Sequence, residues 1–87
     1  MDHKYFVYVL KSDKDNHIYT GLTSDLVKRV NEHNKGKVRS TKSRRPFKLI
    51  YYEEHEDKTS GRKREIFLKS GQGRLFLKEK LKEHLDI

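Results

Sequence analysis

At 87 residues the chain has room for one small domain with a modest core, and the absence of cysteine excludes disulfides and thiolate metal sites. Apolar residues make up 32% of the sequence and occur in clusters, which excludes a disordered chain and predicts a core under a highly charged surface. No apolar stretch approaches the length of a membrane span, and Met1-Asp2-His3-Lys4 does not begin a signal peptide, so the cytoplasm is the expected location.

The formal net charge of +8 is unevenly spread. Between Lys35 and Lys48 stand Lys35, Lys37, Arg39, Lys42, Arg44, Arg45 and Lys48, with no acid among them. The run Glu53-Glu54-His55-Glu56-Asp57 then reverses the sign. A concentrated basic stretch is the usual footprint of a polyanion. Gly36, Ser40, Thr41 and Ser43, interspersed among these cations, suggest a mobile loop that grips phosphate.

In chain order, Tyr5-Phe6-Val7-Tyr8-Val9-Leu10 reads as a strand of aromatic and β-branched residues. Ser12 to Asn16 form a polar turn. Ile18-Tyr19-Thr20-Gly21-Leu22 is a second strand, making an antiparallel hairpin with the first. Gly21, inside a strand, suggests close approach by another backbone or by a ligand. Thr23, Ser24 and Asp25 are three candidate N-caps for a helix carrying Leu26, Val27, Val30 and His33 at helical spacing. Asn34 and Gly36 end it. Pro46 closes the basic loop, and Phe47-Lys48-Leu49-Ile50-Tyr51-Tyr52 is a third strand. Thr59 or Ser60 caps a second helix containing Glu65, Ile66, Phe67 and Lys69. Ser70-Gly71-Gln72-Gly73 reads as an interhelical turn, and a last helix runs from about Arg74 to Leu85 with Leu77, Leu81 and Leu85 in one stripe. The order is β-β-α-β-α-α over residues 1–87, an α+β arrangement with no repeat or linker.

The motif pair around the hairpin resembles the GIY-YIG nuclease family. Phe6-Val7-Tyr8 stands where the family has GIY, and Tyr19-Thr20-Gly21 where it has YIG. The run from Thr23-Ser24-Asp25-Leu26 to Arg29, Glu32 and His33 fits the same pattern, as does Arg64-Glu65 through Lys69. The likeness is greatest to small stand-alone members related to the N-terminal domain of the excinuclease that belongs to this family. The first motif keeps only its Tyr, the second has Thr for Ile, and no Asn follows Asn34, whereas some homing endonucleases of the family use a late Asn. The resemblance implies a three-stranded antiparallel sheet with flanking helices, hydrolysis of a nucleic-acid phosphodiester in repair or recombination, and one divalent metal ion, Mg²⁺ or Mn²⁺.

Such hydrolysis needs an activated water, charge neutralisation at phosphate and help for the leaving oxygen. The resemblance places the hydroxyl of Tyr8, Tyr19 or both in the site, although tyrosine also suits strand packing. Arg29 and His33, four apart on one helix, project side by side; Arg offers a permanently charged fork for phosphate and His a proton carrier. The bland alternative is a solvated face with Lys28 paired to Glu32. Glu65 is the implied metal carboxylate, against the alternative of an i,i+4 ion pair with Lys69. Lys11, where excinuclease-like members also carry Lys, is a supporting candidate that could lower a phenol pKa or touch phosphate, and Gly21 is another. His3, His17, His55 and His84 show no zinc spacing. The expected partner is nucleic acid, with DNA favoured over RNA and a targeting protein allowed. The rival readings are a non-catalytic nucleic-acid-binding module and a protein-interaction domain with a basic face.

Overall fold

The computed structural model describes residues 4–83. Strand β1 (Tyr5–Ser12) is followed by β2 (Ile18–Thr23), helix α1 (Leu26–Asn34), a single 3-10 turn (Lys42–Arg44), β3 (Phe47–His55), α2 (Lys58–Lys69) and α3 (Gly71–Lys80). The expected element order therefore holds. All pairings are antiparallel and the sheet order is β2-β1-β3, which places β1 in the middle.

The central position of β1 explains its composition. Val7 and Val9 on one face and Tyr8 and Leu10 on the other are all buried, because both faces of the strand are covered. Val7 and Val9 join Leu68, Leu77 and Leu81 in the core beneath α2 and α3. Tyr8 and Leu10 join Phe47, with Tyr19, Leu26 and Val30 packed against them, in a second core beneath α1. The Leu77/Leu81 stripe thus packs as expected, while Leu85, like His3 and His84, lies outside the described residues.

The hairpin turn is built on Ser12, which is fully buried. Its Oγ accepts the amides of Lys14 (3.0 Å) and Asp15 (3.2 Å) and donates to the carbonyl of Arg44 (2.5 Å). Asn16 takes the left-handed conformation at φ 63°, which an Asn tolerates better than most residues. On the far face, Arg64 of α2 reaches both carboxylate oxygens of Glu53 on β3, at 2.9 and 3.0 Å, and lies over the rings of Phe67 and Phe76. That brace fixes how α2 is rotated on the sheet.

The cap of α1 is one of those expected, whereas the bounds of α2 and α3 differ from the sequence reading. Of the three candidate caps for α1, Asp25 is the one that accepts a helix amide, from Lys28 at 3.2 Å. Helix α2 begins before Thr59 and Ser60, because Asp57 accepts the Ser60 amide at 2.8 Å. Helix α3 spans Gly71–Lys80, so it begins before Arg74 and ends short of the expected Leu85, with Leu81 to Glu83 in a turn. Ser70 alone separates the two helices: its hydroxyl donates to the Phe67 carbonyl and accepts the Gly73 amide at 3.2 Å, ending one helix and starting the next. Gly71-Gln72-Gly73 is therefore the first turn of α3 rather than an interhelical turn. Gly73 is buried there, and a Cβ on it would overlap the Phe67 carbonyl and the Leu68 backbone.

Candidate active site

The register places Tyr8 opposite Gly21, and Leu10 opposite Tyr19, so both tyrosines lie on the face covered by α1. The Tyr8 phenol extends across Gly21, where a Cβ would collide with its ring and oxygen. Gly21 does mark a close approach, but the approaching group is the Tyr8 side chain, not a backbone or a ligand.

Helix α1 lays His33 over this pair. His33 is completely buried, with ring centroids 5.7 Å from Tyr8, 5.0 Å from Tyr19 and 6.0 Å from Phe47. Its Nε2 lies 2.9 Å from the Tyr8 hydroxyl, and its Nδ1 lies 2.7 Å from Oγ1 of Thr41. Burial, then the charge of Arg29, pushes the His33 pKa down to about 4, with Glu32 opposing, so the ring is neutral at ordinary pH. Burial pushes the Tyr8 phenol up to about 12 against the opposing influence of Arg29.

Arg29 projects beside His33 as the helical spacing requires, but it is not an idle fork. Its guanidinium makes an ion pair with Glu32 at 3.0 Å, and Arg29 opposes the rise of the Tyr8 pKa. The Lys28–Glu32 pair of the bland alternative gives way to this i,i+3 arrangement. Arg29 also lines an open groove of about 420 Å³ at the β2 edge, whose walls include Lys28 of α1 and Lys58 at the start of α2.

Glu65 comes from α2, whose apolar side packs on the Val7/Val9 face of the sheet. It acts on the tyrosine cluster through its charge, which adds, as the smallest of five influences, to the rise in the Tyr8 pKa. Lys69 holds the carboxylate at 3.0 Å, so the ion pair weighed against a metal role is present. Among the described residues no group of three His, Cys, Asp or Glu side chains converges on a metal site. Lys11 follows Tyr8 by three residues and so falls on the opposite face of β1 from the phenol.

The basic segment is pinned, which corrects the expectation of a mobile loop. Val38 and Thr41 are buried. Asn34 pairs with both backbone groups of Phe47, at 2.7 and 3.1 Å, joining the end of α1 to the start of β3. Arg44 binds Asp15 at 3.0 Å, Lys48 lies 3.9 Å from Asp13, and the Arg45 side chain folds over Gly36 with its Nε on the Lys42 carbonyl. Lys35, Lys37, Arg39, Lys42 and Arg45 remain exposed. Thr41 is a site residue that sequence reasoning misses, because it stands among Gly and Ser in what looks like a loose loop. The one available signal is its spacing from Val38, which allows a compact turn.

Residues 4–82 match the model of the GIY-YIG catalytic domain. The chain belongs to the GIY-YIG family. Among its relatives, UPF0213 protein CPE1444 of Clostridium perfringens is 43% identical over 65 residues, which are 74% of this chain and 69% of that protein. UPF0213 protein SSP2268 of Staphylococcus saprophyticus is 40% identical over 68 residues, 77% of this chain and 82% of that one. The solution NMR structure of UPF0213 protein BH0048 from Bacillus halodurans is similar with a TM-score of 0.53 and 30% identity, covering 85% of this chain and 81% of that one. The GIY-YIG assignment bears out the family resemblance and the three-stranded antiparallel fold, and it implies a nuclease ancestry and nucleic acid as partner. Among the described residues no helix is long and apolar enough to cross a membrane.

Proposed function

We propose that this GIY-YIG domain is a divalent-metal-dependent endonuclease that hydrolyses phosphodiester bonds in DNA. The observation that carries the reading is the Tyr8 hydroxyl on His33 Nε2 at 2.9 Å, with Arg29, one helical turn before His33, lining a groove. A hydroxyl so placed can pass a proton inward while an incoming phosphate meets Arg29.

Magnitudes restrict how the proton moves. Burial pushes the Tyr8 phenol up to about 12 and the His33 imidazole down to about 4, so both groups hold to their neutral forms. A complete transfer in the resting site is therefore strongly uphill. No standing phenolate exists at rest. The phenol gives its proton to His33 Nε2 only as it takes one from the attacking water, in a single concerted movement. The water oxygen then bonds to phosphorus, the bond to the leaving oxygen breaks, and that oxygen takes a proton from solvent. Arg29 offers its fork to the charge that develops on the phosphate, exchanging part of its contact with Glu32 for it. Tyr19 packs against His33 and holds the ring in place.

Glu65 is the residue that would hold the metal. One carboxylate suits Mg²⁺ or Mn²⁺, which keep waters and take phosphate oxygens from the substrate, provided that Lys69 releases it. Such an ion supplies charge neutralisation at the phosphate. The ion pair between Glu65 and Lys69 is the observation that favours a second reading, a non-catalytic nucleic-acid-binding module.

Cleavage of branched, single-stranded and double-stranded DNA, with and without Mg²⁺ or Mn²⁺, separates the two readings. Glu65→Gln should abolish cleavage and preserve or strengthen metal-free binding. Arg29→Ala should lower the rate by roughly 10²-fold or more and weaken binding only modestly. Tyr8→Phe keeps the ring packing, so its rate loss reports on the hydroxyl. Wild-type protein that cleaves none of these substrates faster than Glu65→Gln would leave the binding module as the function.

A further inference from the structure

We infer that Thr41, from the basic loop, is a positioning residue that sets the tautomer of His33 and so directs the Tyr8 proton. The inference follows from the order of donors and acceptors along one buried chain. The Tyr8 hydroxyl lies on Nε2 of His33, Nδ1 of His33 lies on Thr41 Oγ1, and Thr41 Oγ1 lies 3.4 Å from the Val38 carbonyl, which can only accept.

With an acceptor fixed at one end, the hydrogens along the chain order themselves from it. The Thr41 hydroxyl donates to the Val38 carbonyl, and its oxygen accepts from Nδ1–H. A neutral imidazole carries one hydrogen, so Nε2 is left bare to accept from Tyr8 O–H. Reversing the chain would aim Nε2–H at the phenol oxygen and leave the phenol hydrogen without an acceptor in the cluster. Both His33 and Thr41 are fully buried, so water does not substitute for either partner.

Thr41 sits among the cations expected to meet the nucleic-acid backbone: Arg39 and Lys42 flank it within two residues. The surface that meets the substrate and the group that carries the proton are therefore joined by one hydroxyl. The effect on rate rests on the endonuclease reading; the tautomer does not.

The test is the ring ¹⁵N spectrum of uniformly labelled full-length protein at pH 7.5, with the His33 signals identified by their loss in His33→Gln. Wild-type protein should show protonated Nδ1 and bare Nε2. Thr41→Val keeps the shape of the side chain and removes the acceptor, and should move His33 toward the Nε2–H form. Thr41→Ser should restore the wild-type pattern. In cleavage assays Thr41→Val should lower kcat about 10-fold or more with KM changed less than about 2-fold, again rescued by Ser. An Nε2–H tautomer in wild-type protein overturns the inference without recourse to any variant. So does an unchanged tautomer in folded Thr41→Val. Absence of cleavage by the wild type, with the tautomer as stated, defeats the endonuclease reading and leaves the positioning role standing.

Discussion

A neutral histidine sealed inside a protein ties stability to pH. Folded His33 binds its proton only below about pH 4, whereas the unfolded side chain binds one below about 6.5. Between those values the unfolded chain holds more protons, so stability rises with pH across the window and is lost as pH falls through it. The displacement corresponds to on the order of 3 kcal/mol. Urea denaturation at pH 4.5 and pH 7.5 should show a lower midpoint at the acid end, and His33→Gln should flatten the difference; an equal pH dependence in the variant would assign it to the carboxylates instead. At this scale the sequence is partly legible. The spacing of Arg29 and His33 places them on one helix, and Gly21 announces a close approach. What cannot be read is the partner in each case, because the phenol over Gly21 and the hydroxyl beyond His33 arrive from cross-strand register and from a loop.

Elements are legible wherever the side chains repeat with a period, and less so where a single hydrogen bond decides. The strands and the Leu77/Leu81 stripe follow from patterning. The α2–α3 junction does not, because two glycines in a row of four suggest a turn until the Ser70 hydroxyl is seen to serve both helices. Gly73 is needed for space: α3 crosses so near the Phe67 carbonyl that only a hydrogen fits. Gly73→Ala, elsewhere a gain in helix propensity, should here lower the melting temperature sharply, by roughly 2 kcal/mol or more of stability. Gly71→Ala, where a Cβ would meet nothing within 4 Å, should be neutral or mildly stabilising. Ser70→Ala should cost about 1 kcal/mol. Thermal melts of the three variants rank the effects, and a Gly73→Ala protein as stable as Gly71→Ala would disprove the close packing.

Over the whole molecule, the exposed cations between Lys35 and Arg45 are carried on a segment tied to the hairpin through Ser12 and Arg44, to β3 through Asn34, and to the candidate site through Thr41. Contacts to phosphate release counterions, so DNA affinity should fall steeply with salt. Replacing Lys37, Arg39 and Arg45 by Ala should weaken binding to all sequences alike and flatten that slope by roughly 2–3. Salt titrations of wild type and variant decide it, and a slope that does not change moves the binding surface elsewhere. Arg44 belongs to the frame more than to this surface, since its charge is already committed to Asp15. The peg that holds the frame, the buried Ser12 hydroxyl, has a thermodynamic consequence. Segments that fold upon a ligand bury apolar area as they order, and calorimetry records this as a large negative change in heat capacity. A surface whose backbone is fixed in advance has little left to order. Its binding enthalpy for DNA should therefore vary only slightly between 10 and 35 °C, with the driving force coming from displaced ions.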